Sequence, residues 1–345
     1  MGEASGSVTP TDPHPLLPVG WSDRVQALFS PLVDQGLAPA RVVGVERGWC
    51  RLATTTGEHS LPVPDTAVGD WVALDGETVQ EVLPRWSALG RLDPGGGRQI
   101  LAANLDLVLI TAPADRLSPA RVERELVIAW DSGAQPVVVL TKLDVAPTGV
   151  VDDLAARLGS VDVIATSSET GEGLDAVRLH LVHPVTAALM GPSGAGKSTL
   201  INALVGEERR AVAAVRDDHR GRHTTTSRQL VPLPSGGSLI DMPGLRSLGT
   251  DASDEAVAAA FPEIDDLAED CRFDDCNHEV EPGCAVLGAI ATGALDPARL
   301  ESYRKLMKEA SFERRRLDPP AQKTEERVWK TRTKEQRRMY RERER

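Results

Sequence analysis

The chain has 345 residues, 41% of them hydrophobic, with 24 prolines and 30 glycines, which is enough apolar material for two or three domains joined by turns and linkers. No run approaches a membrane span, and the opening residues carry neither a charged-then-apolar leader nor the hydroxyl residue at position 6 that a myristoylation signal after Met1-Gly2 requires, so a cytoplasmic protein without membrane attachment is expected. The formal net charge of −12 is unevenly spread: residues 303–345 hold 16 Lys+Arg against 8 Asp+Glu, a net +8, against −20 for residues 1–302.

Residues 1–35, beginning "MGEASGSVTPTDPHPLLPVG", form a Ser/Pro/Gly/Thr-rich arm expected to stay disordered up to the helical pattern "DRVQALF". Over residues 36–92 the runs "ARVVGVERG", "CRLATTT", "HSLPV", "GDWVALDG" and "TVQEVLP" alternate short β-rich stretches with turns, as a small antiparallel barrel does. Five short strands fit an OB-like barrel, a module that commonly binds RNA on one face; a barrel that only packs on its neighbour is the other reading. Cys50 within it reads as a small core residue.

After "DPGGGR" the pattern changes. "LDLVLITA" is a continuous apolar run, "SPARVERELVIAWDSG" a helix with Ser118 as cap, Pro119 in its first turn and Gly133 as stop, and "PVVVL" a second buried run. The alternation continues through "VDVIATSS", "LDAVRLHL", "VTAALM", "KSTLINALV", "RQLVPL" and "SLIDM", giving an α/β domain over residues 93–248 with about six strands and helices on both faces of a parallel sheet.

The loops at the strand ends carry the chemistry. In "VVVLTKLDV", Thr141-Lys142-Leu143-Asp144 falls just past a buried strand, where ligands bind in such folds. A carboxylate there accepts two hydrogen bonds and so matches the paired N1–H and N2–H₂ donors of guanine, whereas adenine would leave the charge unpaired; the Lys142 stem lies along the base plane. "ATSSETGEGL" follows the next strand, and Ser167 and Ser168 are placed to reach guanine O6 through backbone N–H, a weak signal by itself.

"GPSGAGKST" runs from Gly191 through Pro192, Ser193, Gly194, Ala195, Gly196, Lys197 and Ser198 to Thr199, at a strand-to-helix turn where glycine is needed for positive φ and close backbone approach. The N–H groups of Ser193 to Ser198 and the positive helix end suit a β-phosphate, Lys197 the β and γ oxygens, and the Ser198 hydroxyl Mg²⁺. "LIDMPGL" places Asp241 at a strand end to hold Mg²⁺ through water, and Gly244 where its N–H senses a γ-phosphate.

In most GTPases the phosphate loop comes first and the base-reading loop last; here Thr141 to Asp144 precede Gly191 to Ser198, so the domain reads as circularly permuted. Residues 249–312 then hold Cys271, Cys276, His278 and Cys284 in the spacing C-x₄-C-x-H-x₅-C, a closed tetrahedral set suited to one structural Zn²⁺. A disulfide reading is poor in a reducing compartment and leaves His278 unexplained. Residues 313–345 are a basic tail, read either as a grip on phosphate backbones or as a solvated helix of alternating charge.

With "TKLD", "SSETGEGL", "GPSGAGKST", "GRHTTTSR", "DMPG", the zinc ligands, "VGDWV" and "RQILAANLD", the sequence resembles the ribosome small-subunit-dependent GTPase A family (RsgA, also called YjeQ) over about residues 36–310. The resemblance implies an OB barrel, a permuted GTPase domain and a helical zinc domain, with binding of the small ribosomal subunit and its rRNA late in maturation. It also implies GTP hydrolysis to GDP and phosphate, stimulated by the subunit and linked to release or checking, by a monomer. Thr141 departs from the Asn of many members, so one base contact is expected to be weaker or differently made. Leu245 stands where Ras-type enzymes carry a water-orienting Gln, so intrinsic hydrolysis is expected to be slow. By resemblance His223 is the water-positioning residue, against a structural or rRNA-contacting histidine, with Arg220 and Arg222 as further candidates; one of Thr224 to Thr226, Thr225 foremost, completes the Mg²⁺ shell. A P-loop ATPase or kinase, and an RNA-binding module that keeps nucleotide without turning it over, are the alternatives.

Overall fold

A computed structural model describes residues 13–46, 48–63, 65–92, 98–206, 228–242 and 252–317. The expectations for the arm up to residue 12, for Arg220, Arg222, His223, Thr224 to Thr226, Gly244 and Leu245, and for the tail beyond residue 317 lie outside them.

The chain divides into two compact units. The first opens with α1 (Asp23–Val33), capped by the Ser22 side chain accepting from the Val25 amide, and continues into β1 (Ala38–Glu46), β2 (Trp49–Thr54), β3 (Gly57–Leu61), β4 (Trp71–Asp75) and β5 (Thr78–Val82). These five antiparallel strands run in the order β3-β2-β1-β4-β5. Their alternate inward residues, Ala40, Val42, Cys50, Leu52, Val72 and Leu74 with Val63, make one apolar core. Cys50 is indeed a core residue, its thiol donating to Val63 O at 3.5 Å.

Six further strands form the nucleotide-type sheet: β8 (Leu107–Pro113), β9 (Gln135–Thr141), β10 (Val163–Ala165), β11 (Thr186–Met190), β12 (Arg228–Pro232) and β13 (Ser238–Asp241). Their order is β10-β9-β8-β11-β13-β12, parallel throughout except for the antiparallel β12. The chain steps outward from β8 to β10 and then returns to insert β11 on the other side of β8, which is the topological switch that opens a crevice at the carboxyl ends. The apolar runs of β8, β9 and β11 are buried because helices α4 (Leu174–His180) and α5 (Lys197–Val205) bring Leu174, Val177, Leu200 and Leu204 into the same cluster as Leu109, Val139 and Leu189.

β1 joins the two sets of strands. One of its edges pairs with β2; the other pairs with β4 at residues 38–41 and with β12 at Gly44 and Val45, after a register shift between Val42 and Gly44, so one 11-stranded sheet results. Beneath this junction Arg41, 1% exposed, donates to the carbonyls of Val19, Gly69 and Asn104 and lies 4.9 Å over the Trp71 ring. Burial lowers its pKa to about 10, so it remains charged at neutral pH and three carbonyls have a cationic donor.

A two-stranded ribbon, β6 (Ala88–Leu92) with β7 (Arg98–Ala103), was not anticipated, because the Gly-rich residues between its strands read as a domain boundary. The second unit holds α2 (Pro119–Asp131), α6 (Asp254–Ala260), α7 (Pro262–Glu269), α8 (Ala285–Thr292) and α9 (Pro297–Leu317). Arg299 of α9, 2% exposed, binds them together: it donates to Glu123 of α2 at 2.9 Å and to Ala260 O at 2.7 Å, and its guanidinium stacks on Phe261. No helix among the described residues is long and apolar enough to cross a membrane.

Arg41→Met retains bulk but strands the buried carbonyls of Val19 and Asn104, Gly69 O keeping the Asn104 side-chain amide as its donor, so a loss of about 3 kcal/mol is expected, read as a lowered denaturant midpoint. An unchanged midpoint would mean that those carbonyls find other donors.

Candidate functional site

The phosphate-type loop is shaped by what its glycines avoid. β11 is buried over its whole length and delivers Gly191 at φ +145°, where a Cβ would come within 2.3 Å of both the carbonyl and the hydroxyl oxygen of Thr111. That hydroxyl donates to Met190 O at 2.8 Å, so the last turn of β11 is pinned to β8. Gly194 and Gly196 take positive φ of 76° and 82°, and α5 starts at Lys197 with Gly196 as its cap. The loop thereby leads into the first turn of a helix, where Ser198 and Thr199 are exposed. Lys197 Nζ donates to Gly191 O at 2.7 Å and Pro192 O at 2.8 Å, which holds the ammonium across the loop's mouth. Asp241 ends β13, the parallel neighbour of β11; burial raises its pKa and the nearby Lys197 pulls it back.

The base-type loop is built on the ends of β9 and β10. Leu143 N donates to Thr166 O at 3.0 Å and Thr166 N to Leu140 O at 2.6 Å, while Lys142 takes a left-handed φ of 60° to turn the chain. Lys142 Nζ lies 3.7 Å from the Asp115 carboxylate. Asp144 Oδ1 accepts from the Ser167 hydroxyl at 2.6 Å, and the same hydroxyl oxygen accepts the amides of Glu169 and Thr170. One carboxylate oxygen is therefore oriented by a buried serine that is itself fixed by its loop. The loop closes at Gly173, whose Cβ would lie 1.9 Å from Ala165 O.

The two loops touch. Thr141 Oγ1, 4% exposed as a residue, donates to Ala195 O at 2.7 Å. The Thr141 hydroxyl is thus turned to the phosphate loop. Thr141 to Asp144, Ser167 and Ser168, Gly191 to Thr199 and Asp241 come from four strand ends and stand along one carboxyl edge. Sequence reading missed Thr111, Asp115 and Arg116, which follow or end β8 and flank both loops; their only signal was "TAPADR" just past a buried run.

In the second unit Cys271, Cys276, His278 and Cys284 place their ligand atoms within 4.8 Å of one another. Cys271 Sγ is 3.8 Å from Cys284 Sγ, and His278 Nδ1 is 3.6 Å and 3.4 Å from those two sulfurs. Tetrahedral zinc at ordinary bond lengths demands about 3.8 Å between sulfurs and about 3.6 Å between sulfur and nitrogen, so the donor set fits. Burial, with the neighbouring Cys271 and Cys284 thiols, pushes the Cys276 thiol up to about 11, and a bound cation would hold it as the thiolate. His278 reaches the cluster through a left-handed φ of 57°, and Glu281 accepts the amides of Asn277, Glu279 and Val280 to close the loop around it.

Comparison with known proteins finds relatives over most of the chain. Residues 82–251 match the family model described as RsgA GTPase. "Small ribosomal subunit biogenesis GTPase RsgA" of Streptomyces coelicolor is 48% identical over 84% of this chain and 85% of its own length; the protein of the same description from Opitutus terrae is 40% identical over 90% and 94%. Among solved structures, YjeQ from Thermotoga maritima aligns with a TM-score of 0.62 at 25% identity, covering 79% of this chain and 98% of its own. YloQ, described as a circularly permuted GTPase, aligns at 0.59 and 23% identity, over 80% and 95%, and shares the permuted fold.

Purified protein is expected to carry about one zinc per chain by elemental analysis, and Cys284→Ser to lose both the metal and the cooperative melting of the second unit. A full zinc complement in that variant would remove Cys284 from the ligand set.

Proposed function

The chain belongs to the RsgA family of GTPases, and on that premise we propose that it binds the small ribosomal subunit during late maturation and hydrolyses GTP to GDP and phosphate, with turnover stimulated by the subunit and coupled to release or checking. The observation that carries this reading is the joining of a base-type loop to a phosphate-type loop through the Thr141 hydroxyl and Ala195 O.

In the proposed complex Asp144 accepts guanine N1–H and N2–H₂, with Ser167 holding Oδ1 in place, and the Lys142 stem covers one face of the base. The Ser167 amide already donates to Glu172 O at 3.0 Å, so contact with guanine O6 falls to the Ser168 amide. Leu143 contributes backbone shape to the same pocket. Amides of Ser193 to Ser198 wrap the β-phosphate, with Gly191, Pro192 and Thr199 bounding that cradle, and Lys197 leaves its loop carbonyls for the β and γ oxygens. Ser198 and Thr225 would hold Mg²⁺, with Asp241 behind a water and the Gly244 N–H on the γ-phosphate; when bound, the ion neutralises charge shared by the β and γ oxygens. His223 is proposed to orient the attacking water toward γ-phosphorus as the bond to the β–γ bridging oxygen breaks, with Arg220 and Arg222 as the alternatives. Thr225 releases its loop after hydrolysis.

The five strands from β1 to β5 are proposed as an OB-like barrel that meets rRNA, with Trp49, 55% exposed at the start of β2, available to stack on a base. Zinc in the Cys271, Cys276, His278 and Cys284 site is structural. The basic tail adds phosphate-backbone contacts, and the protein acts as a cytoplasmic monomer.

The test is steady-state GTP turnover with and without small subunits. Subunits should raise it strongly, and Lys197→Ala should abolish it; unchanged turnover on adding subunits would overturn the coupling. Asp144→Asn should weaken GTP binding by about 100-fold or more and improve binding of xanthosine triphosphate, whose 2-oxygen an amide can donate to. If ATP competes as well as GTP with the parent protein, the base assignment falls. Ser167→Ala should weaken GTP binding about 10-fold with the melting temperature little changed, as read by equilibrium titration.

A further inference from the structure

Arg116 belongs to none of the motifs above. It ends a single 3₁₀ turn, Ala114–Arg116, that follows β8, and β8 lies between β9 and β11, so the turn stands between the base loop and the phosphate loop. Its two charged side chains are divided between them. The Asp115 carboxylate faces Lys142 at 3.7 Å, and Arg116 Nη2 donates to Gly194 O at 3.4 Å. Ala114 beneath is 1% exposed, so the turn is anchored while Arg116 itself is exposed to solvent. At Gly194 a Cβ would come within 3.1 Å of the same Nη2 atom; the missing side chain is part of what lets the guanidinium lie against the loop.

The bond to Gly194 O is long, made to a neutral acceptor, and uses a single prong of a group built for two. Phosphate oxygens are anionic and match the guanidinium fork. Lys197 shows the same habit on the other side of the loop, donating to the carbonyls of Gly191 and Pro192.

The geometry points to Arg116 as a second cation for the triphosphate, supplied by this chain itself: with GTP bound its guanidinium turns from Gly194 O onto the phosphate oxygens opposite Lys197. There it stabilises the charge that gathers on the β–γ bridging oxygen as the bond to γ-phosphorus breaks. This rests on Gly191–Ser198 being the phosphate loop.

Three variants of the full chain separate this role from simple bracing of the loop. Arg116→Gln keeps a donor for Gly194 O but removes the charge, Arg116→Lys keeps the charge but not the fork, and Arg116→Ala removes both. GTP turnover with small subunits present, GTP and GDP affinities by fluorescent-nucleotide titration, and thermal melting are measured for each. Arg116→Gln and Arg116→Ala should both lower kcat about 100-fold, with GDP affinity changed less than about 3-fold and melting unaltered, and Arg116→Lys should recover part of the loss. If Arg116→Gln keeps kcat and KM within about 2-fold of the parent, Arg116 only braces Gly194 and the proposal is overturned. A parent chain that binds no guanine nucleotide overturns the phosphate-loop reading and this proposal together, whereas a nucleotide-binding parent with an unaffected Arg116→Gln overturns the proposal alone.

Discussion

One hydroxyl sets the geometry of the site. Thr141 lies at the end of β9 and donates to Ala195 O in the loop that follows β11, across the intervening strand β8. It is a direct hydrogen bond between the two loops, which the Ala114–Arg116 turn also links through Lys142 and Gly194. With it, the loop that carries Asp144 and the loop that carries Lys197 are tied to one another through buried residues. The shorter side chain of threonine, compared with asparagine, reaches the loop carbonyl and has no further group to offer a base. In the proposed complex, reading of the purine then falls more heavily on Asp144, which the Ser167 hydroxyl orients.

Circular permutation leaves this edge intact because the strand order is a matter of pairing, and pairing does not depend on where the chain begins. β11 still stands beside β8 and β13, and the loops still rise from the same ends. What changes is where the chain goes next. β12, the antiparallel last strand of the nucleotide sheet, is paired at Gln229 and Arg228 with Gly44 and Val45 of β1, so the strands β1 to β5 and the nucleotide strands share a backbone ladder.

The legible parts of the structure were those with a local signature. β8, β9 and β11 announced themselves as apolar runs because parallel strands covered on both faces must be apolar throughout. Gly191, Gly194 and Gly196 were legible because only glycine tolerates those dihedrals and that approach to Thr111. The cluster of Cys271, Cys276, His278 and Cys284 was legible because spacing and donor type together admit few uses other than holding a metal. Illegible were contacts between residues far apart in the chain, made by side chains with no fixed partner type. Thr141 with Ala195, 54 residues apart, is one; Arg116 with Gly194, 78 apart, is another; Arg299 with Glu123, 176 apart, gathers α2 with the C-terminal helices, although α2 reads as an ordinary crossover helix. β6 and β7 were missed because the Gly-rich stretch that separates them in the sequence reads as a boundary between two domains.

The junction at β1 has a colloidal consequence. An antiparallel last strand such as β12 would offer its unpaired amides and carbonyls as a template for strands of other molecules, and β1 occupies part of that rim. At the opposite limit the sheet stops at β10, only three residues long, and the outer strand β3 reads Gly-Glu-His-Ser-Leu, largely exposed and mostly polar. The borders at β10 and β3 are therefore short or polar and offer another copy little on which to extend the sheet into a fibre.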